Sequence, residues 1–145
     1  MNLRSVSFAG YFIVVVALVG LFWEGCLLGS GPISLSVQTL AVVLMVWARV
    51  TFGKRSFHAG ADATEGGLVT TGPYALIRHP IYASILYFLW AGVCSHPAVE
   101  SFLLGLLATA GILLRIIAEE RLLVTRYAEY EAYAAVTKRL IPFLL

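Results

Sequence analysis

Charge is what this sequence has least of: 10 Lys and Arg with 8 Asp and Glu make up 12% of 145 residues, while 60% are hydrophobic. That balance excludes an ordinary soluble domain, in which about a quarter of the residues are charged. A net charge of +2, carried by dispersed basic residues, also excludes a nucleic-acid-binding stripe. Cysteine is nearly absent. Cys26 and Cys94 stand in apolar surroundings and read as packed thiols, although both fall at one predicted face, where a disulfide is the alternative. Together with His58, His79 and His96 they show no ligand spacing, so no metal is expected. There is no Ser-His-Asp constellation, no phosphate-cradling glycine loop, no internal repeat and no low-complexity tract.

What is present is uncharged chain. Ser5 to Trp23 carries no charge and is long enough to cross a bilayer as a helix of about 20 residues. No small-residue cleavage site follows, so it reads as a retained span rather than a secretory signal. Glu24-Gly25 and Gly29-Ser30-Gly31-Pro32 interrupt the pattern. Glu24 there reads as an interfacial cap, with the acid of a proton-coupled transporter as the alternative. A second span runs from Ile33 to about Phe52. A third begins at Pro80 and ends near Ser95, before His96-Pro97; a fourth begins near Val99. Both of these runs are short for a full crossing. If the fourth helix continues unbroken through Arg115, Glu119 and Glu120, it carries charge to the membrane boundary, where charged residues are functional candidates. Beyond it Leu123, Tyr127, Tyr130 and Ala134 recur at helical spacing, which predicts an amphipathic helix on the membrane or over the loop, ended by Pro142. The expectation is one all-α polytopic membrane domain over 1–145. Its first two spans occupy 1–52, a cytosolic loop 53–79, the third and fourth spans 80–117, and the C-terminal amphipathic helix 118–145.

Arg4, Arg49, Lys54, Arg55, Arg78, Arg115, Arg121, Arg126, Lys138 and Arg139 all fall on one side of a four-span arrangement. Because cytoplasmic flanks retain Lys and Arg, both termini and the long loop are expected in the cytosol. The densest polar stretch, Leu68 to Ser84, lies on that side. Gly72-Pro73 marks a loop, and Pro80 suits a helix start, so Arg78, His79 and Tyr82 cluster at one helix entrance that favours an anionic group. The alternative is a polar connection without a ligand. Arg115 and Glu119 are four residues apart and share a face, in the order less favourable for an intrahelical pair. A ligand carrying a carboxylate, an amine and a ribose diol would use such a mixture; a boundary network with Glu120 and Arg121 is the other reading.

Leu-Val-Thr-Thr-Gly-Pro-Tyr at Leu68–Tyr74, Arg-His-Pro-Ile-Tyr at Arg78–Tyr82, Arg115-Ile-Ile-Ala-Glu119-Glu120, and Tyr130 to Pro142 together resemble the isoprenylcysteine carboxyl methyltransferases and their relatives among phospholipid methyltransferases. The resemblance covers roughly Phe52 to the C-terminus and implies an integral membrane methyltransferase using S-adenosylmethionine from the cytosolic side. It implies cofactor contacts at Gly66, Gly67, Leu68, Val69, Tyr74, His79, Pro80, Ile81, Tyr82 and Glu119, with Arg115 nearer the acceptor and Glu120 beside them. Gly66-Gly67 replaces a histidine that begins this block in the eukaryotic isoprenylcysteine enzymes. The expected partners are the bilayer and a hydrophobic or lipid-linked acceptor. A carboxylate acceptor needs orientation and desolvation more than a base. An amine or thiol would need deprotonation, with His79 or Glu120 the first base to consider. The competing classes are a membrane reductase using NADPH and a small transporter or scaffold without enzymatic activity.

Overall fold

The computed structural model describes residues 3–53 and 67–143, and their regular structure is helical. The helices are α1 (Leu3–Trp23), α2 (Pro32–Phe52), α3 (Pro80–Ser95), α4 (Val99–Arg126) and α5 (Tyr130–Val136), with a 3-10 turn at Gly72–Ala75 before α3. Three of them, α1, α2 and α4, are long and apolar enough to cross a membrane, whereas α3 is apolar but shorter. Local chemistry accounts for the boundaries. Pro32 and Pro80 each begin a helix, where the missing amide hydrogen costs nothing. Gly53, at φ 74°, ends α2 in a conformation that disfavours a side chain. Ser101 steadies the start of α4, its hydroxyl accepting from the Ala98 amide at 3.4 Å and lying 2.9 Å from the His96 carbonyl.

The spans pack in a row: α2 against α3, α3 against α4, and α4 against α1. Helices α1 and α4 run antiparallel and touch backbone to backbone. A Cβ placed on Gly10 would lie 2.6 Å from the Gly111 carbonyl oxygen, and one on Gly111 would lie 2.8 Å from that of Gly10. Small residues that let helices approach this closely are the usual contact in a bilayer, where hydrophobic burial no longer drives association. The outward surface is apolar, with Phe12, Phe22, Leu40, Val43 and Val50 exposed, as expected of helices solvated by lipid. At the end carrying Glu24, Gln38 ties α2 to its neighbours: its amide nitrogen donates to the carbonyls of Leu27 at 2.9 Å and Phe88 at 3.0 Å. Glu24 is exposed in that turn, Cys26 is a buried free thiol and Cys94 an exposed one.

The C-terminal stretch departs from a continuous amphipathic helix. α4 does continue through Arg115, Glu119 and Glu120, but it ends at Arg126, and Tyr127 is extended. After the short α5 the chain runs beside the segment preceding α3, where the Arg78 amide donates to the Lys138 carbonyl at 2.6 Å and the His79 amide to that of Arg139 at 3.0 Å. These backbone groups satisfy one another across the two segments, and a helix continuing past Thr137 would forfeit the pairing.

Candidate active site

The alternation of antiparallel spans brings the start of α1, the segment before α3 and the last turns of α4 to the same end of the bundle. Two linked polar groups form there. In the first, Arg115 is buried on α4, 7% exposed, and its guanidinium is enclosed by protein. Its Nε donates to the Tyr82 hydroxyl at 3.2 Å and its Nη1 to the Ser7 carbonyl at 3.1 Å. The rings of Tyr11 and Tyr82 lie 5.4 and 5.7 Å from its central carbon, close enough for cation–π attraction. The Tyr82 hydroxyl in turn donates to Glu119 Oε2 at 2.9 Å. A phenol on α3 thus links the two charges that sit four residues apart on α4.

The second group centres on Glu120. Arg78 Nε at 3.2 Å, His79 Nε2 at 3.3 Å and Arg139 Nη2 at 2.8 Å all approach its carboxylate. Arg78 also donates to the carbonyls of Ala134 at 2.8 Å and Thr137. The Tyr133 hydroxyl donates to the Tyr74 carbonyl at 2.7 Å, and the Tyr87 hydroxyl to the Leu140 carbonyl at 2.6 Å. Burial raises the Tyr74 phenol above its ordinary value and pushes the Tyr133 phenol up to about 12. Both therefore stay neutral at physiological pH.

Of the residues singled out in the sequence, His79, Tyr82, Arg115, Glu119 and Glu120 come together, and Tyr74 joins them through Tyr133. Pro80 is buried at the start of α3. Leu68, Val69 and Ile81 are half-buried and take no part in this network, while Gly67 adopts φ 82° at the edge of the loop. Gly66 lies outside the described residues. Arg78 is spent on Glu120 and the tail instead of presenting itself to an anion at the helix entrance. Ser7, Tyr11, Tyr133, Thr137 and Arg139 also shape the site, and sequence reasoning did not single them out. Tyr11 offered a signal as a polar-edged aromatic in an otherwise apolar run, and Tyr133, Thr137 and Arg139 lay in the Tyr130 to Pro142 stretch that carries the resemblance.

Glu119 accepts only from Tyr82 among the described residues, which leaves a carboxylate oxygen for an ammonium or hydroxyl. Glu120 is already occupied by Arg78, His79 and Arg139. A separate recess of about 300 Å³ is lined by Leu18, Ala41, Met45, Ser84, Ile85 and Phe88, among others. It contains no member of the polar network and lies along α3 between α1 and α2.

The family model for phospholipid methyltransferases matches residues 31–130, from the start of α2 to the start of α5. The chain belongs to this family. It is accordingly a membrane methyltransferase by family, and its polar network lies largely within the matched region. Ser7 and Tyr11 precede that region; Tyr133, Thr137 and Arg139 follow it. No curated protein and no solved structure matches the chain.

Proposed function

We propose that the protein is an S-adenosylmethionine-dependent methyltransferase that takes its cofactor at the cytosolic end of the bundle and methylates a lipid-borne carboxylate. The observation that carries this reading is the linkage of Arg115 to Glu119 through Tyr82. It sets a deep cation and a shallower anion side by side, about 6 Å apart along the helix at about 1.5 Å per residue. Glu119 suits the ammonium or ribose of a water-soluble cofactor, and Arg115, one turn deeper on α4, suits the carboxylate of a lipid-borne acceptor. When bound, the cofactor supplies an electrophilic methyl group on a sulfonium. The chain's own task is then to orient the acceptor and exclude water. Arg115 holds the acceptor carboxylate, Tyr82 keeps Arg115 and Glu119 in register, and Glu120 holds His79 and the tail in place. The apolar recess along α3, which reaches Ile85 one turn beyond Tyr82, suits the acceptor's hydrocarbon.

The family's description favours a second acceptor, a phospholipid amine. That reaction requires a proton to leave the nitrogen, and His79, 3.3 Å from Glu120, is the base it would use. The methylated products distinguish the two, because a methyl ester is lost in mild base and a methylamine is not.

Calorimetric titration with S-adenosylhomocysteine, with NADPH as the control, tests the reading. Glu119→Gln keeps the size and removes the charge. It should weaken S-adenosylhomocysteine binding by about 1.5–3 kcal/mol, roughly ten- to hundredfold. Arg115→Gln should leave that affinity within a few-fold while lowering methyl transfer. Binding of NADPH in place of S-adenosylhomocysteine would indicate a reductase, and undiminished binding by folded Glu119→Gln would show the roles to be misassigned.

A further inference from the structure

Two buried side-chain polar atoms have no hydrogen-bond partner among the described residues, the hydroxyls of Ser7 and Tyr130. They differ in kind. A serine within a helix can turn its hydroxyl to a carbonyl one turn back, but a phenol cannot reach its own backbone. Tyr130 is 3% exposed and is the buried residue of α5. Its amide donates to the Tyr127 carbonyl at 3.1 Å, and its ring meets that of Tyr133 edge-on at 6.1 Å. Tyr133 is itself anchored on the Tyr74 carbonyl. The ring is therefore fixed against Tyr133, and its buried hydroxyl is left unpaired among the described residues. Phenylalanine would fill the same space without burying a donor, so packing alone does not account for the hydroxyl.

The surroundings indicate what would pair with it. Burial, and then the charge of Glu120, raise the pKa of this hydroxyl, Arg78 opposes the rise and Glu119 adds to it, so the phenol stays protonated and able to donate. Glu120 is already taken by Arg78, His79 and Arg139, and Glu119 accepts from Tyr82. A ligand ammonium would satisfy the carboxylates but has no lone pair for the phenol. A ligand carboxylate would accept from the phenol but be repelled by Glu119 and Glu120. A hydroxyl does both, accepting from the phenol and donating to a carboxylate.

We propose that Tyr130 is a cofactor-binding residue whose hydroxyl donates to the ribose diol of the nucleoside, beside Glu119. The inference rests on the S-adenosylmethionine reading given above and extends its binding site to α5. The test pairs titration of wild type and Tyr130→Phe with S-adenosylhomocysteine and thermal unfolding of both proteins in detergent without ligand. Loss of one neutral hydrogen bond should weaken binding by about threefold to tenfold. Unfolding should occur at the same or a higher temperature, because an unpaired buried donor has been removed. Equal affinity in the variant would overturn the proposal while leaving the cofactor reading intact. A fall in both affinity and unfolding temperature would also overturn it, by showing that the hydroxyl is structural. Absence of binding by the wild type would remove the cofactor reading and this inference together.

Discussion

Glu120→Gln is the substitution that most directly tests how the tail is held. The Glu120 side chain is 13% exposed and receives Arg78, 10% exposed, together with the buried His79 and Arg139, 54% exposed. Glutamine preserves the size but removes the one anion that pairs with those side chains among the described residues, and its amide nitrogen turns a donor toward them. Breaking a buried ion pair outright costs about 3–5 kcal/mol. Two features lower that figure here: Arg78 keeps its bonds to the Ala134 and Thr137 carbonyls, and Arg139 is half in solvent, where pairs are worth about 1 kcal/mol or less. We therefore expect about 2–3 kcal/mol, the range of a charge-assisted hydrogen bond, lost from docking of the tail. The amides of Arg78 and His79 donate to the tail carbonyls of Lys138 and Arg139 and so report docking directly. Their hydrogen exchange in detergent should accelerate by roughly thirty- to hundredfold, following a factor of ten per 1.4 kcal/mol. Arg139→Gln should accelerate them less than tenfold. Unchanged exchange at both amides in folded Glu120→Gln, or a larger effect from Arg139→Gln, would show that Glu120 does not hold the tail.

Three further outcomes are expected. Gly10→Ala would place a methyl group 2.6 Å from the Gly111 carbonyl oxygen and 2.9 Å from Arg115 Cγ. Because the carbonyl belongs to a helix backbone, thermal unfolding should show a loss of about 1–3 kcal/mol, and an unshifted transition would mean that α1 and α4 approach less closely than described. Tyr133 is pushed up to about 12 by burial, against an ordinary phenol near 10 in an undocked tail. Since the docked state holds its proton longer, its contribution is fully present below about pH 10 and is lost as pH rises toward 12. Tyrosinate absorbance should thus lose a component near 12 in Tyr133→Phe, and an unaltered titration curve would refute the assignment. Finally, an impermeant maleimide on intact cells should label the exposed Cys94 but reach Lys138→Cys only after permeabilisation; the reverse pattern would invert the proposed orientation.

Much of the architecture was legible because its signals are local. Pro80 and His96-Pro97 bracket α3, and the uncharged runs define α1 and α2, since a proline or a glycine acts on its immediate neighbours whatever the tertiary context. The order of the spans was not legible. Gly10 and Gly111 determine that α1 lies against α4, but a glycine in an apolar run does not reveal which helix it meets. Arg115 and Glu119 could be placed on one face by counting, yet the group joining them, Tyr82, comes from another helix. The tail shows the same limit in another form. Tyr127, Tyr130 and Ala134 keep a helical period through a stretch that is interrupted in the fold, because pairing with Arg78 and His79 satisfies backbone groups that periodicity ignores. Glu120 was legible as a boundary charge, but Arg139, beyond the break, was not legible as its partner.

The short third helix explains why these charges can lie so close to a bilayer. α3 has 16 residues and α4 has 28, about 24 and 42 Å at about 1.5 Å per residue. The contacts of His79 with Glu120 and of Tyr82 with Glu119 set the start of α3 level with those carboxylates, while α4 continues to Arg126, about 9 Å farther. The bundle therefore ends in a step, with α4 as its wall and Tyr82 and Arg115 in its floor. Charge facing lipid at that depth would be costly, and here protein surrounds it instead: α1 supplies the Ser7 carbonyl and the Tyr11 ring, and the returning tail covers Arg78, His79 and Glu120. A third helix as long as α4 would fill the step and leave the tail no backbone to pair with. The apolar recess reaches Ile85, one turn along α3 from Tyr82, so that a single helix borders a polar floor at its start and a lipid-compatible groove along its length.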